Sequence, residues 1–175
     1  DDIAVQCGAK RVELFSETDS TLDVAHALAE QGALSGTVVV ADSQRAGRGR
    51  LGRPWSSPPG LGVWCTVVER PADTAALDVL SIRVGLELAE GLDGLGADRI
   101  DLKWPNDLLL RGGKLAGILT ETRWSAGAPA WGAVGVGVNI VAPTDVPGGV
   151  GLGAGVARID VLRAVLRAAQ SAAAR

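Results

Sequence analysis

From Gln44 to Trp55 the chain reads Gln-Arg-Ala-Gly-Arg-Gly-Arg-Leu-Gly-Arg-Pro-Trp, which sets four guanidiniums, Arg45, Arg48, Arg50 and Arg53, among glycines. A guanidinium pairs bidentately with phosphate or carboxylate, and a glycine-rich backbone can fold over an anion with its N–H groups pointing inward. The chemistry this stretch suits is an anion clamp on a flexible lid. A solvated basic loop, or a patch that steers nucleic acid, has the same composition; Trp55 weighs against both, because an indole is costly to expose unless it stacks on something flat. The spacing Gly47-x-Gly49-x-x-Gly52 also fits a dinucleotide fingerprint. That fingerprint needs a helix to open at the third glycine, and Arg53-Pro54-Trp55-Ser56-Ser57-Pro58-Pro59 opens none.

A second group, Lys103-Trp104-Pro105-Asn106-Asp107, offers a cation, a ring, an amide and a carboxylate at the end of a strand, on a turn fixed by Pro105. Taken alone it reads equally well as an ordinary Pro-Asn-Asp turn with a packed tryptophan. Third, Lys114 leaves a Gly-Gly turn and enters the apolar run Leu115-Ala116-Gly117-Ile118-Leu119. It is either a surface charge at a hairpin end or a cation reaching across the sheet to a carboxylate or phosphate. Fourth, the glycines of Gly135-Val136-Gly137-Val138-Asn139 alternate along a strand, where they let a ligand or another backbone approach closely.

In order and spacing, from roughly Ser20 to Ile140, these four segments resemble the biotin protein ligases. The resemblance implies an α+β catalytic domain of the biotin–lipoate ligase type, like the class II aminoacyl-tRNA synthetases. By position it implies that Ser20, Thr21, Gln44, Arg48, Gly49 and Arg50 line a biotin pocket with Lys114 and Gly117. Arg50, Arg53, Trp55, Lys103, Asn106, Lys114 and Asn139 match positions that serve ATP, with Trp55 placed near adenine. Catalysis falls to Lys114, Arg48, Arg50 and Asp107. Lys114 contacts the carboxylate of biotin and then the phosphate, and Asp107 places Mg²⁺ or the acceptor amine. No protein side chain is otherwise assigned to metal. The implied function is ATP-dependent activation of biotin to biotinyl-5′-AMP and transfer to a lysine of a biotin carboxyl carrier protein, in the cytoplasm. A non-enzymatic biotin or biotinyl-adenylate binding module and a lipoate ligase of the same fold are the alternatives.

This chemistry needs no nucleophilic side chain, because joining a carboxylate to the α-phosphorus of ATP is chiefly charge neutralisation and alignment. That suits a chain with one histidine, His26, read here as structural, and too few histidines for a Ser/His/Asp triad or a multi-histidine metal site. Cys7 and Cys65 lack zinc or redox spacing and read as reduced thiols.

The elements that must hold these groups are legible from periodicity. Val12 and Leu14 mark a strand, followed by a helix over Leu22 to Gln31 that stops at Gly32. Thr37 to Ala41 is a buried strand, Asp42 to Gly62 a long loop, and Gly62 to Glu69 a further strand. Leu77, Leu80, Val84, Leu88, Leu92 and Leu95 recur as one face of a long helix. Ile100 to Trp104, Leu108 to Leu110, Leu115 to Thr122 and Trp131 to Ile140 are strands, with a hairpin at Gly112-Gly113. A terminal helix spans Asp160 to Ala169 with Asp160 as its cap. The order predicts a mixed, largely antiparallel sheet with helices packed on one face.

Composition sets the outer bounds. The 175 residues are 47% hydrophobic and 21% charged, which excludes disorder by low hydrophobicity and high charge. No apolar run approaches the roughly 18 residues of a membrane-spanning helix, and the start does not read as a secretory signal. A net charge of −3, from 17 basic and 20 acidic residues, excludes a global field that attracts nucleic acid, so no DNA partner is expected. With no Met at any position the chain reads as trimmed. One catalytic domain over 1–175 is expected, without an N-terminal helix-turn-helix or a C-terminal SH3-like barrel, and an open sheet edge leaves room for a homodimer.

Overall fold

Adjacent Val38 and Val39 are both buried, so the strand that carries them needs apolar cover on its two faces. The computed structural model, which describes residues 2–70, 77, 79–95 and 98–173, supplies that cover from opposite sides of one sheet. The strands are Arg11–Thr18 (β1), Thr37–Gln44 (β2), Gly62–Glu69 (β3), Ile100–Lys103 (β4), Asp107–Leu110 (β5), Gly113–Ser125 (β6) and Ala128–Asn139 (β7). They lie in the order β1-β2-β3-β7-β6-β5-β4. Only β1 and β2 run parallel, so the sheet is mixed and largely antiparallel, as its sequence predicts. The described helices are Asp2–Cys7 (α1), Thr21–Glu30 (α2), Leu80–Asp93 (α3) and Arg158–Ala173 (α4).

Strand alternation sorts the side chains into two layers. Val63, Cys65 and Val67 of β3 and Val134, Val136 and Val138 of β7 join Val84, Leu88 and Leu92 of α3 and Val161, Val165 and Leu166 of α4 in the larger core. On the other face, Leu22, Ala25 and Ala29 of α2 pack on Val39, Val68 and Ala133. The expectation of helices on one face therefore holds for α1, α3 and α4, whereas α2 covers the second face of β2, β3 and β7. Boundaries also differ from the sequence reading, with β2 running on to Gln44 through the expected start of the loop and β6 spanning Gly113–Ser125 rather than Leu115 to Thr122. The terminal helix begins at Arg158, because the Ala157 carbonyl already accepts the N–H groups of Asp160 and Val161 at 3.1 and 3.3 Å. Asp160 is thus not the cap; it sits in the first turn, where it favours the helix dipole and pairs with Arg163 at 2.8 Å. Leu77 and Leu95 flank α3 rather than belonging to it.

A bulge in β6, opposite Leu108 and Leu109 of β5, decides which way the third motif faces. Leu108 pairs with Ala116 but Leu109 pairs with Lys114, so Leu115 is skipped. Leu115 and Ala116 can then both be fully buried in the larger core while Lys114 turns to the opposite face.

Both ends of α2 are fixed by specific bonds. Ser20 is its N-cap, with extended backbone and an Oγ that accepts from the Leu22 N–H at 3.3 Å. At the other end Gly32, at φ 90°, ends the helix where the sequence predicts. The Arg70 guanidinium then donates to the carbonyls of Ala29 (2.6 Å), Ala33 (2.9 Å) and Ala130 (3.2 Å) and lies 5.6 Å over the Trp131 ring. Three hydrogen bonds from one ion are worth about 2–3 kcal/mol together when part of their energy is lost to desolvation. Arg70→Ala is expected to lower unfolding free energy by about that amount in urea titration, and Arg70→Lys to recover less than half, since an ammonium cannot reach three diverging carbonyls.

Candidate active site

The α2 face of the sheet carries a cleft of about 420 Å³, built from the start of α2, the loop after β2, the turn between β4 and β5, and the middle of β6 and β7. Its floor is bare backbone. Side chains at Gly117 and Gly137 would point into it, and Trp55 takes the space they leave: a Cβ on Gly137 would lie 2.5 Å from the indole Nε1, and one on Gly117 3.0 Å from the ring, while at Gly135 the Leu22 side chain fills the space at 3.1 Å. Trp64 meets the same indole edge-on at 6.5 Å. The glycines of the fourth motif thus admit a side chain of this same protein. The Trp55 Nε1–H is buried with no acceptor among the described residues.

Gln44, the last residue of β2, ties two walls together. Its Oε1 accepts from the Thr21 N–H at 2.8 Å and from Thr21 Oγ1 at 3.1 Å, while its Nε2 donates to Ser57 Oγ at 2.8 Å. Thr66, in the middle of β3, donates to Thr21 Oγ1 at 2.8 Å. Ser20, Thr21 and Gln44 therefore lie together at one end of the cleft.

The loop expected to be flexible is a small ordered hairpin. The Trp55 N–H donates to the Gly47 carbonyl at 2.8 Å and the Gly49 N–H to the Arg53 carbonyl at 2.7 Å. A 3₁₀ turn over Arg50–Gly52 closes it, with Leu51 at φ 58° and 88% exposed. Gly47 is needed for contact, since a Cβ there would meet the Trp55 carbonyl at 2.5 Å. Its arginines are not equivalent. Arg45 pairs outward with Asp19 (2.8 Å) and Glu17 (3.0 Å). Arg48 lies against Glu121 of β6, donating from Nε to Oε1 at 2.9 Å and from Nη2 to Oε2 at 3.1 Å, and reaches Asp23 of α2 at 2.9 Å. These bonds keep Arg48 firmly charged, and the Arg48 guanidinium, against the opposing effect of burial, holds the Glu121 carboxyl below its ordinary value. Arg48 anchors the loop to the sheet and adds little net charge to the cleft.

Four cations remain along the cleft: Lys103, Arg50, Arg53 and Lys114. Lys114 Nζ sits 2.9 Å from Asp107 Oδ1 and 5.2 Å over the Trp55 ring. Arg50 donates to Asn106 Oδ1 at 3.4 Å, and Asn106 is itself fixed by donating from Nδ2 to the Ile118 carbonyl at 2.9 Å. The Trp104–Pro105 peptide is cis, and the Trp104 ring stands 73% exposed at the rim. No described group of three or more His, Cys, Asp or Glu could hold a metal, and Asp107 is the only carboxylate among the cleft's described lining. Cys65 reaches the lining too, but burial pushes its thiol up to about 12, so it supplies no thiolate near neutral pH.

All the residues read from the motifs as site residues line this cleft except Asn139. That side chain is buried and donates from Nδ2 to the Lys114 carbonyl at 3.5 Å, so it steadies the backbone that presents Lys114. Sequence reasoning missed Glu121, Asp23, Thr66 and Ser57. For Glu121 a signal existed: it continues the alternation Gly117, Leu119, Glu121 along β6, a lone carboxylate on the cleft face of an apolar strand.

Because the folded-state pKa of Glu121 is depressed, its pairing contributes stability above the ordinary carboxylate pKa, and that contribution is lost as pH falls through the lower folded value. Urea midpoints are expected to drop between about pH 5 and pH 3, the range that spans ordinary and depressed carboxylate pKa values. Glu121→Gln should start lower at pH 5 and show a shallower drop; an equally steep limb would remove the pair as its source.

Residues 14–139 match the biotin/lipoate A/B protein ligase family. The biotin–[acetyl-CoA-carboxylase] ligase of Paracoccus denitrificans is 42% identical over 136 residues, 75% of this chain and 55% of that protein. The bifunctional ligase/repressor BirA of Bacillus subtilis is 38% identical over 130 residues, 73% of this chain and 40% of that protein. The chain thus spans about half the length of these curated relatives. Among solved structures, the biotin protein ligase of Aquifex aeolicus in complex with biotin and ATP superposes with a TM-score of 0.76 at 30% identity, over 94% of this chain and 71% of that one. The Leishmania major biotin protein ligase in complex with biotinyl-5-AMP does so at 0.72 and 26% identity, over 91% and 73%. Every residue lining the cleft, from Ser20 to Gly137, falls inside the matched stretch, and the chain belongs to the biotin/lipoate A/B protein ligase family.

Proposed function

We propose that this domain condenses biotin with ATP to biotinyl-5′-AMP and transfers the biotinyl group to a lysine of a biotin carboxyl carrier protein. One observation carries the reading: Lys114, Arg50, Arg53 and Lys103 converge on a cleft with a flat Trp55–glycine floor, and no nucleophilic side chain is poised there. A carboxylate oxygen of biotin attacks the α-phosphorus and pyrophosphate leaves. The amine of the acceptor lysine then attacks the acyl carbon of the mixed anhydride, losing a proton as AMP departs. Both steps need neutralised phosphate oxygens and aligned partners rather than covalent help from the enzyme.

Within that scheme Lys114 stands where a carboxylate and a phosphate would meet, already held by Asp107 and by the Trp55 ring. Arg50, tethered to Asn106, reaches over the opening from the loop. Mg²⁺ carried by the triphosphate would neutralise its oxygens, and Asp107 is the side chain that would share it. The anchored loop keeps water from the anhydride until the acceptor docks. Lipoate ligation is a weaker reading, since the arginine–glycine loop speaks against it. The free thiols of Cys7 and Cys65 agree with a cytoplasmic setting.

The direct test is to incubate the chain with biotin, Mg·ATP and a carrier domain and follow the carrier's intact mass for one biotinyl addition. No ATP-dependent addition, with biotin still bound in calorimetry, would replace ligation by simple binding. Lys114→Ala is expected to slow pyrophosphate release by about 10²–10³-fold, the usual effect of deleting one charge-stabilising donor, with the thermal midpoint little changed. Arg50→Gly should leave adenylate formation largely intact but increase escape of the preformed adenylate about tenfold, consistent with loss of one charge-assisted hydrogen bond. Wild-type retention in that variant would remove Arg50 from the lid.

A further inference from the structure

His26 lies in the middle of α2, outside the cleft lining, yet both of its ring nitrogens are committed. The Trp131 Nε1–H approaches Nδ1 at 3.0 Å, and Nε2 lies 3.0 Å from Glu121 Oε2. An indole nitrogen can only donate, so Nδ1 must keep its lone pair and the proton of the neutral ring resides on Nε2. His26 is therefore a donor to Glu121 by construction. Trp131, which fixes this, is itself held by the Arg70 guanidinium on one side and the histidine ring on the other.

We propose that His26 is a positioning residue: its Nε2–H, set by Trp131, holds the Glu121 carboxylate in the orientation that grips Arg48 and thereby keeps the arginine–glycine loop closed over the cleft. The grip is geometric. Arg48 presents Nε and Nη2 in one plane, and Glu121 meets them with one oxygen each, so rotation of the carboxylate breaks both bonds. On Glu121 Oε2 the donor beside Arg48 is His26. Asp23, one turn earlier on α2, pairs with Nη2 of the same guanidinium at 2.9 Å, the nitrogen that also donates to Glu121. One helix thus sets the loop from two points, directly through Asp23 and through Glu121 by way of His26. The loop's role in retaining the adenylate rests on the function proposed above; its anchoring by His26 does not.

Three variants separate hydrogen bonding from space filling. His26→Gln can place an amide N–H where Nε2 lies. His26→Asn can offer Trp131 an acceptor but cannot reach Glu121. His26→Leu fills space and does neither. Limited trypsin digestion reads the loop without any ligand, because the Arg48–Gly49 bond is protected only while Arg48 is held. Cleavage there is expected to accelerate about fivefold in the Leu and Asn variants, the population change of one lost hydrogen bond, with the Gln variant within about twofold of wild type. Cleavage after Arg167, inside α4, controls for global unfolding. Equal loop cleavage in all four proteins, or a Gln variant that behaves like Leu, overturns the proposal.

Dissociation of synthetic biotinyl-5′-adenylate provides the functional arm, with the same ranking expected in its off-rates. A wild-type chain that does not bind the adenylate but keeps the protease ranking defeats the ligase reading and leaves His26 in place. Wild-type binding with off-rates identical across the series overturns the link from His26 to closure.

Discussion

Everything at this site depends on a strip of sheet that carries no side chains. Gly117 on β6 and Gly137 on β7 leave a flat area wide enough for one indole, and Trp55 lies on it. With Trp55 down, the loop that carries it must return across the sheet at Gly47, which is why no Cβ fits there. That return path puts Arg48 against Glu121 and leaves Arg50 over the opening. The same ring offers Lys114 a face to rest on. Floor, wall and cation are consequences of one packing contact between residues far apart in the chain.

Electrostatics then divides the arginine–glycine segment into parts with different work. Arg45 faces solvent and pairs with exposed carboxylates, an arrangement worth little to stability. Arg48 is half enclosed and held by carboxylates from two elements, so it behaves as a structural bolt. Arg50 and Arg53 have no ion-pair partner among the described residues and keep their charge for what enters the cleft. A run of similar residues at regular spacing thus mixes anchoring and binding.

The fold class, the strand runs and the cleft's membership were legible because they rest on local signals: alternation, turn residues and four compact motifs. What could not be read depends on which face a residue meets across the sheet. The placement of α2 opposite α3 and α4 follows from two adjacent valines both needing cover, which a strand pattern alone does not assign to a particular helix. Arg48's neutralisation required knowing that Glu121 lies opposite, on a strand far along the chain. Asn139 belongs to a motif and shares the face of Gly135 and Gly137 on β7, yet it is buried against the Lys114 backbone beyond the end of the cleft lining. His26 reads as structural from the sequence, and its contacts lead to the loop.

The pairing of β3 with β7 has a consequence for how the site comes into being. Strands β4 to β7 form a meander of short-range hairpins, and β1, α2 and β2 form a local crossover. The seam between β3 and β7 joins residues distant in sequence, and such contacts repay their loop-closure entropy late in folding. The cleft straddles that seam, taking Gln44 and Trp55 from one side and Lys114 and Gly137 from the other. A chain still emerging from the ribosome can therefore own every motif and hold no ligand, and ligand capture reports that the two halves have met.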